Sequence, residues 1–113
     1  MLSVLAGAFL GWSLGANDAA NCYGTAVSSR MVAWRRAAIL AAVFILIGAL
    51  LQGRGGLDTL GKLTTQTATQ AGLTALAAAL TVTGMTFLKL PVSTSQAVVG
   101  ALVGAGFVAG DVN

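Results

Sequence analysis

The chain of 113 residues has very little charge: three acidic and six basic residues make up 8% of it, whereas 57% is hydrophobic. Charged residues form about a quarter of an ordinary soluble domain, so almost nothing here can cover a surface facing water. The absence of histidine excludes His-ligated metals and His-based catalysis. The single cysteine, Cys22, excludes an internal disulfide. We therefore expect a membrane protein and, without a base and nucleophile pair or a cofactor motif, no enzyme.

The basic residues give a formal net charge of +3, but they do not form a patch with interleaved aromatic residues. Binding to nucleic acid is therefore not expected. The bases lie at the ends of apolar runs, where they act as topology signals. The densest basic cluster consists of Arg30, Arg35 and Arg36, and Trp34 beside it is typical of an interfacial anchor.

The length allows about four membrane segments, since a spanning helix needs about 20 residues. The clearest spanning helix is predicted over residues 37–52, which carry no charge, and the glycine-rich residues 53–56 are predicted to end it. A second spanning helix is predicted over residues 72–88. Residues 57–70 form the only sustained polar stretch, and either a short interfacial helix or a loop fits them.

The first apolar stretch, residues 2–16, is too short to cross a bilayer alone, whereas residues 2–30 are long enough. We expect an interruption of this first helix near residues 15–18. Residues 91–110 begin polar and continue apolar, which suits either a re-entrant segment or a plain spanning helix. The expected fold is therefore all-α, with about three spanning helices and a re-entrant or broken helical segment.

Three polar side chains, Asn17, Asp18 and Asn21, lie between the apolar stretches of this first segment. An aspartate at the centre of a spanning helix costs about 2.5–3.5 kcal/mol on insertion scales, so its presence requires a reason. Ion binding or a water-filled cavity is one reason, and a surface loop between two short helices is the alternative. Asn17 and Asn21 share a helix face because they are four residues apart.

A second polar group follows Pro91 and consists of Ser93, Thr94, Ser95 and Gln96. A helix that begins here would have hydroxyls to cap its first turn and free backbone N–H groups at its start. Such a start is a natural site for an oxyanion. The alternative is an ordinary N-cap with no ligand.

Together these two groups carry a resemblance to a known family. Residues 15–21 read Gly-Ala-Asn-Asp-Ala-Ala-Asn and residues 91–96 read Pro-Val-Ser-Thr-Ser-Gln. The first resembles the G-A-N-D-x-A-N signature of the inorganic phosphate transporter (PiT) family, and the second resembles the P-V-S-T-T-[HQ] element of the same family. Gln96 stands where many relatives have histidine.

The resemblance implies a symporter that carries inorganic phosphate, or in some relatives sulfate, coupled to sodium ions or protons. Family members have two inverted halves, and the chain has one copy of the signature. Residues 1–113 are therefore expected to form a single transmembrane domain that corresponds to one half, embedded in lipid of the cell membrane. Its partner would be a second half-chain or an inverted copy of itself in a homo-oligomer.

The resemblance also implies the roles of individual residues. Asp18 is assigned to the coupling cation, with sodium as one candidate, because a carboxylate facing phosphate without a bridging cation would repel it. Asn21 and Ser93 are assigned to the cation as well. Phosphate would bind to Asn17, Asn21, Thr25, Ser93, Thr94 and Ser95. The alternatives are a membrane scaffold or assembly subunit that does not transport, and a passive channel-like oligomer in which Asp18 lines the pore.

Overall fold

The computed structural model describes residues 1–110, which contain four α-helices and no strand. The helices are α1 (Leu2–Ser28), α2 (Trp34–Gly61), α3 (Ala68–Phe87) and α4 (Thr94–Ala109). Helices α2 and α3 are long and apolar enough to cross a membrane, and α4 is a shorter apolar helix. The predicted all-α membrane architecture is thereby confirmed.

The predicted interruption near residues 15–18 is wrong, because α1 is continuous from Leu2 to Ser28. A glycine inside a helix costs about 1 kcal/mol relative to alanine. A break would instead leave backbone N–H and C=O groups unpaired, at several kcal/mol each within a bilayer. Asn17 and Asp18 find partners on α3 and α4, so their polarity does not require a break.

Helix α2 likewise continues through residues 53–56, which were predicted to end it, and reaches Gly61. Within this part the hydroxyl of Thr59 donates a hydrogen bond of 2.9 Å to the carbonyl oxygen of Gly55. The first residues of the polar stretch 57–70 therefore belong to α2. They form neither a separate interfacial helix nor a loop.

A capping box starts α3 four residues before its predicted beginning at residue 72. The hydroxyl of Thr67 accepts a hydrogen bond of 3.3 Å from the backbone N–H of Gln70, and the Gln70 side chain accepts one of 2.9 Å from the Thr67 N–H. Two otherwise unpaired donors at the helix start are satisfied in this way. The loop between α2 and α3 is therefore short, covering residues 62–67.

Helices α1 and α3 run parallel and form the main packed pair. Near their starts Gly72 lies so close to α1 that a Cβ atom on it would be 3.1 Å from the Ser3 Cα. Fourteen residues further along both helices, the Asn17 side chain donates a hydrogen bond of 2.9 Å to the Thr86 hydroxyl. Both contacts join residues 69 positions apart in the sequence, so the two helices keep a constant register. Half of the six buried hydrophobic residues within residues 1–110 lie on α3, namely Ala78, Ala79 and Val82.

Helices α3 and α4 form a hairpin whose turn lies beside the middle of α1. Helix α3 ends one residue after Thr86, and Thr94 at the start of α4 contacts Asp18. Helix α1 continues for ten residues past Asp18 to Ser28, which is about 15 Å at a rise of 1.5 Å per residue. The hairpin turn therefore stops well short of the C-terminal end of α1.

The depth of this turn follows from the interfacial signals at the C-terminal end of α1. The basic cluster and Trp34 begin directly after α1, and both types of residue favour the membrane–water interface. A point about 15 Å below that interface is half the thickness of a hydrocarbon core of about 30 Å. With the C-terminal end of α1 at the interface, the turn would lie near the bilayer midplane, as in a re-entrant hairpin.

Helix α2 packs loosely and buries only two residues, Ala37 and Ala41, against the rest of the described structure. Large apolar side chains cover its exposed surface: Ile39, Leu40, Val43, Phe44, Ile45, Leu46, Ile47, Leu50 and Leu51. A helix that is apolar on all sides is typical of a membrane span. This surface is therefore suited to lipid or to another apolar helix.

Candidate functional site

The two polar groups of the sequence meet where the hairpin turn lies beside α1. The hydroxyl of Thr94 donates a hydrogen bond of 3.2 Å to Oδ2 of Asp18, and both side chains are partly buried. Ser93 is the N-cap of α4, and its hydroxyl accepts a hydrogen bond of 3.4 Å from the Gln96 N–H. The predicted helix start at the Ser-Thr-Ser group is thus confirmed, and it faces the carboxylate.

The start of α4 adds a favourable electrostatic environment. The first intrahelical hydrogen bond runs from the Ala97 N–H to the Ser93 carbonyl oxygen, so the N–H groups of Thr94 and Ser95 precede the helical ladder. The N-terminus of a helix carries a partial positive charge and attracts anions. Carboxylate and hydroxyl oxygens are ligands for hard cations, whereas N–H groups bind oxyanions. The meeting point therefore offers donors for both kinds of ion.

A chain of amide and hydroxyl groups supports α1 beside this point. Asn17 is only 5% exposed, and its Nδ2 donates to Thr86 while its Oδ1 accepts a hydrogen bond of 3.0 Å from Nδ2 of Asn21. The Thr86 hydroxyl in turn donates to the Val82 carbonyl oxygen at 2.8 Å. Asn17 is therefore held inside the α1–α3 contact, and it orients Asn21, which is exposed.

The structure does not bring all the predicted residues together. Thr25 is exposed, seven residues along α1 from Asp18, which is about 10 Å at the helical rise. Its carbonyl oxygen accepts hydrogen bonds from Ser28 and Ser29, both beyond it on the chain. Asp18 and Thr94 are in direct contact, and Ser93 directly precedes Thr94 in the chain. Thr25 lies outward from this group.

A cavity of about 500 Å³ adjoins the start of α4. Thr94 and Ser95 line it from α4, Leu14 lines it from α1, and Gly55 and Gly56 line it from α2. Sequence reasoning interpreted these two glycines only as a turn and so missed that they face the hydroxyls. Because Gly55 and Gly56 have no side chains, the space beside Ser95 stays open.

Within residues 1–110, no three side chains from His, Cys, Asp and Glu lie together as a metal-binding group. A cation at Asp18 would therefore meet one carboxylate together with neutral hydroxyl or amide oxygens.

A hairpin that brings a helix start and hydroxyls to a carboxylate resembles the half-helix sites of membrane transporters. The chain belongs to the phosphate transporter family, because the family model described as "Phosphate transporter family" matches residues 14–113. The resemblance of the two sequence motifs is thereby confirmed.

Individual relatives agree with this assignment. The chain is 36% identical over 117 residues to a Chlamydia pneumoniae protein named "Putative phosphate permease", covering 95% of this chain and 28% of the relative. It is 36% identical over 118 residues to the Arabidopsis thaliana protein named inorganic phosphate transporter 2-1, chloroplastic, covering 96% of this chain and 20% of the relative.

A mammalian protein is similar as well. Over 105 residues the chain is 39% identical to the mouse protein named sodium-dependent phosphate transporter 1, covering 84% of this chain and 15% of the relative. The chain thus spans less than a third of the length of each of these three relatives. No solved structure matches it.

Proposed function

We propose that this chain supplies one half of the binding site of a cation-coupled transporter for inorganic phosphate. The observation that carries the proposal is the contact between Thr94 and Asp18, which joins the two family motifs across 76 positions of the chain. Family membership supports phosphate as the substrate. The chain covers less than a third of each relative described, so the other half of the site would come from residues outside this sequence, from a second half-chain or from a second copy.

In this proposal Asp18 binds the coupling cation together with oxygen atoms of Asn21 and Ser93. The cation would then lie between the carboxylate and the phosphate and offset their mutual repulsion, which is strong in a medium of low dielectric constant. This arrangement makes the binding of each ion depend on the other, which is the thermodynamic basis of coupling.

Phosphate oxygens would accept hydrogen bonds from the hydroxyls of Ser93 and Ser95 and from the N–H groups at the start of α4. The Thr94 hydroxyl has one proton, which Asp18 accepts in this structure, so Thr94 would donate to phosphate only after that proton turns away from Asp18. Asn17 and Asn21 would contribute from α1, with Asn17 acting chiefly by orienting Asn21. Thr25 would contact phosphate on its way to the site rather than at the site itself, because it lies about two helical turns away.

Sodium is the coupling cation that we propose first. The name of the mouse relative includes sodium dependence, and the oxygen donors around Asp18 suit sodium. Coupling to protons is the alternative, and sulfate is the alternative substrate because it is also a tetrahedral oxyanion. We place the transporter in the plasma membrane.

The test is uptake of radiolabelled phosphate by proteoliposomes that contain the full chain, with and without an inward sodium or proton gradient. We expect uptake driven by a sodium gradient, and we expect Asp18→Asn to reduce it at least tenfold. Asp58→Asn is the matched control, because Asp58 is an exposed carboxylate on α2 that does not line the cavity at the start of α4, and it should leave uptake unchanged.

The other outcomes discriminate between the alternatives. Gradient-independent phosphate leakage would indicate a passive channel. If the full chain neither takes up nor binds phosphate, even together with a candidate second half-chain, the result would indicate a scaffold or assembly subunit. Normal sodium-dependent uptake by Asp18→Asn would show that the role proposed for Asp18 is wrong.

A further inference from the structure

Lys89 lies in the hairpin turn, between the last residue of α3 and the start of α4. If residues 2–30, 37–52 and 72–88 each crossed the membrane once, Lys89 would lie at the same surface as the basic cluster. The structure keeps that direction, because α1 and α3 are parallel, but the turn stops beside Asp18. With the C-terminal end of α1 at the membrane surface, Lys89 would therefore be a cation near the midplane and not at the surface.

The backbone of Lys89 has an unfavourable conformation for a lysine. Its φ is 58°, in the left-handed region, where residues other than glycine pay about 1–2 kcal/mol. The N–H of Lys89 donates to the Thr86 carbonyl oxygen and the N–H of Leu90 donates to the Met85 carbonyl oxygen, which is the Schellman motif that usually has glycine at this position. The chain does use glycine in this way at Gly110, with a φ of 73°. A lysine here therefore costs stability that a glycine would not.

The charge of Lys89 is not neutralised by the protein as described. Lys89 is exposed, and no acidic side chain of residues 1–110 forms an ion pair with it. The partial negative charge at the C-terminus of α3 favours a cation there, but this effect is small beside the cost of about 2.5–3.5 kcal/mol for an isolated lysine deep in a membrane. A lysine at this depth therefore needs water or an anion as its partner.

Polar groups on α1 mark the space beyond the turn as hydrated. Asn21, Thr25 and Ser28 recur at helical spacing on the part of α1 that extends past the hairpin, and all three are exposed. Residues three and four apart share a helix face, so they form a polar stripe from the level of the turn to the C-terminal end of α1. The basic cluster follows directly at that end.

We propose that the space beyond the hairpin turn is an aqueous vestibule along the polar stripe of α1, and that Lys89 at its base attracts the oxyanion substrate to the site. This inference rests on the proposed function and adds a residue that determines the sign of the charge admitted. Asp18 and a bound sodium ion together have no net charge and so do not attract a dianion, whereas the positive charge of Lys89 does. The substrate class is a tetrahedral dianion, phosphate before sulfate.

The matched variants use the shared backbone geometry. Lys89→Gly removes the charge and relieves the backbone strain, so the protein should be at least as stable as the wild type in thermal unfolding. Its apparent KM for phosphate should nevertheless rise about tenfold, with a weaker dependence on ionic strength. Lys89→Arg should retain the wild-type KM within about twofold, because the positive charge is kept.

Arg30→Gly is the control. Arg30 has the same backbone conformation, with a φ of 60°, but lies at the outer end of α1, so its replacement should change KM by less than about twofold.

A second measurement does not depend on transport. In a Cys22→Ala background, Lys89→Cys should react with a membrane-impermeant anionic thiol reagent, and phosphate should slow the reaction. Phe44→Cys is the control, because Phe44 is a 62% exposed side chain in the apolar run of α2 and should be unreactive.

An unreactive cysteine at position 89, or sodium-dependent uptake by Lys89→Gly with unchanged KM, would overturn the inference while leaving the proposed function intact. Absence of phosphate binding by the wild type, with a reactive cysteine at position 89, would instead overturn the proposed function and with it the role of Lys89.

Discussion

At the scale of single residues, Thr86 connects the core of the helix pair to the candidate site. Its hydroxyl donates to the Val82 carbonyl oxygen of its own helix, so its lone pairs are left to accept from Asn17. This fixes the Asn17 amide with its oxygen toward Asn21. Thr86 therefore determines which end of the amide is presented to the next turn of α1.

Replacement of Thr86 by valine should destabilise the protein by about 1–3 kcal/mol, because the buried Nδ2 of Asn17 would lose its acceptor. Valine has nearly the same shape, so packing changes little. Thermal unfolding in detergent measures the effect. Thr86→Ser should restore most of the loss, since it keeps the hydroxyl.

The control for this prediction is Thr81→Val. Thr81 is an exposed threonine on the same helix whose hydroxyl bonds only to the Ala77 carbonyl oxygen, so its replacement should be close to neutral. An equal loss of stability for both variants would contradict the role assigned to Thr86.

Sequence reasoning identified some of these residues and missed others for a physical reason. Asn17, Asp18 and Thr94 are conspicuous, because amides, carboxylates and grouped hydroxyls are rare in apolar helices. Thr86 is one of five threonines in α3, and a threonine can satisfy its own hydroxyl within a helix. Only the register between α1 and α3 distinguishes Thr86 from the others.

At the scale of helices, glycines misled the sequence reading twice. Near Gly15 and in residues 53–56 they predicted an interruption, and both helices continue. A local rule that takes glycine as a helix breaker reflects a chain in water, where the freed backbone groups are hydrated. In an apolar environment those groups have no such partner, so the helix persists. The helix starts at Thr67 and Ser93 both depend on side-chain caps within the first turn. Only the start at Ser93 was predicted, because Pro91 precedes it in the sequence and marks a helix start.

Gly72 is the glycine that packing requires. Valine at this position should destabilise the protein by about 1–3 kcal/mol by overpacking, because a Cβ would lie 3.1 Å from the Ser3 Cα and 3.2 Å from the Ser3 N. Denaturation in detergent, followed by circular dichroism, measures this loss.

Gly84→Val on the same helix is the control, because nothing lies within 4 Å of a Cβ built on Gly84. It should change stability by less than about 0.5 kcal/mol, as is usual for exposed positions. If both variants lost stability equally, intrinsic helix propensity and not the contact with Ser3 would explain the effect.

At the scale of the whole molecule, the exposure of α2 predicts a measurable depth profile. One protein carries Trp12→Phe, Trp34→Phe and Phe44→Trp, so its single tryptophan is at position 44 and should lie deep in the bilayer. The other carries only Trp12→Phe, so its single tryptophan is Trp34 and should lie near the headgroups. Ten residues separate positions 34 and 44 on one helix, or about 15 Å. Fluorescence quenching by lipids brominated at different acyl positions measures both depths.

Matched comparison of these two single-tryptophan proteins tests whether α2 crosses the membrane. Quenching of position 44 should be strongest with bromines near the acyl-chain ends and that of position 34 with bromines near the headgroup. Equal quenching profiles at the two positions would show that α2 lies along the surface of the membrane instead.

The arrangement of the helices was less accessible to sequence reasoning than their existence. Apolar runs and charges predict how many helices there are and in which direction each one runs. They do not predict how far one helix is shifted along the next. Here the position of α3 along α1 results from the contacts of Gly72 and Thr86 with α1. For that reason the offset of the hairpin turn from the C-terminal end of α1, and the position of Lys89 with it, emerges only from the structure.

The constant register between α1 and α3 has a mechanical consequence. Contacts at Ser3 and at Asn17 fasten the two helices at points about 21 Å apart, so neither helix can slide or pivot against the other without breaking one end. Helices α1 and α3 are therefore expected to move together as one rigid unit. In the proposed transporter, a rearrangement that exposes the site alternately to the two sides would therefore have to involve the loosely packed α2, α4, or whatever binds to them.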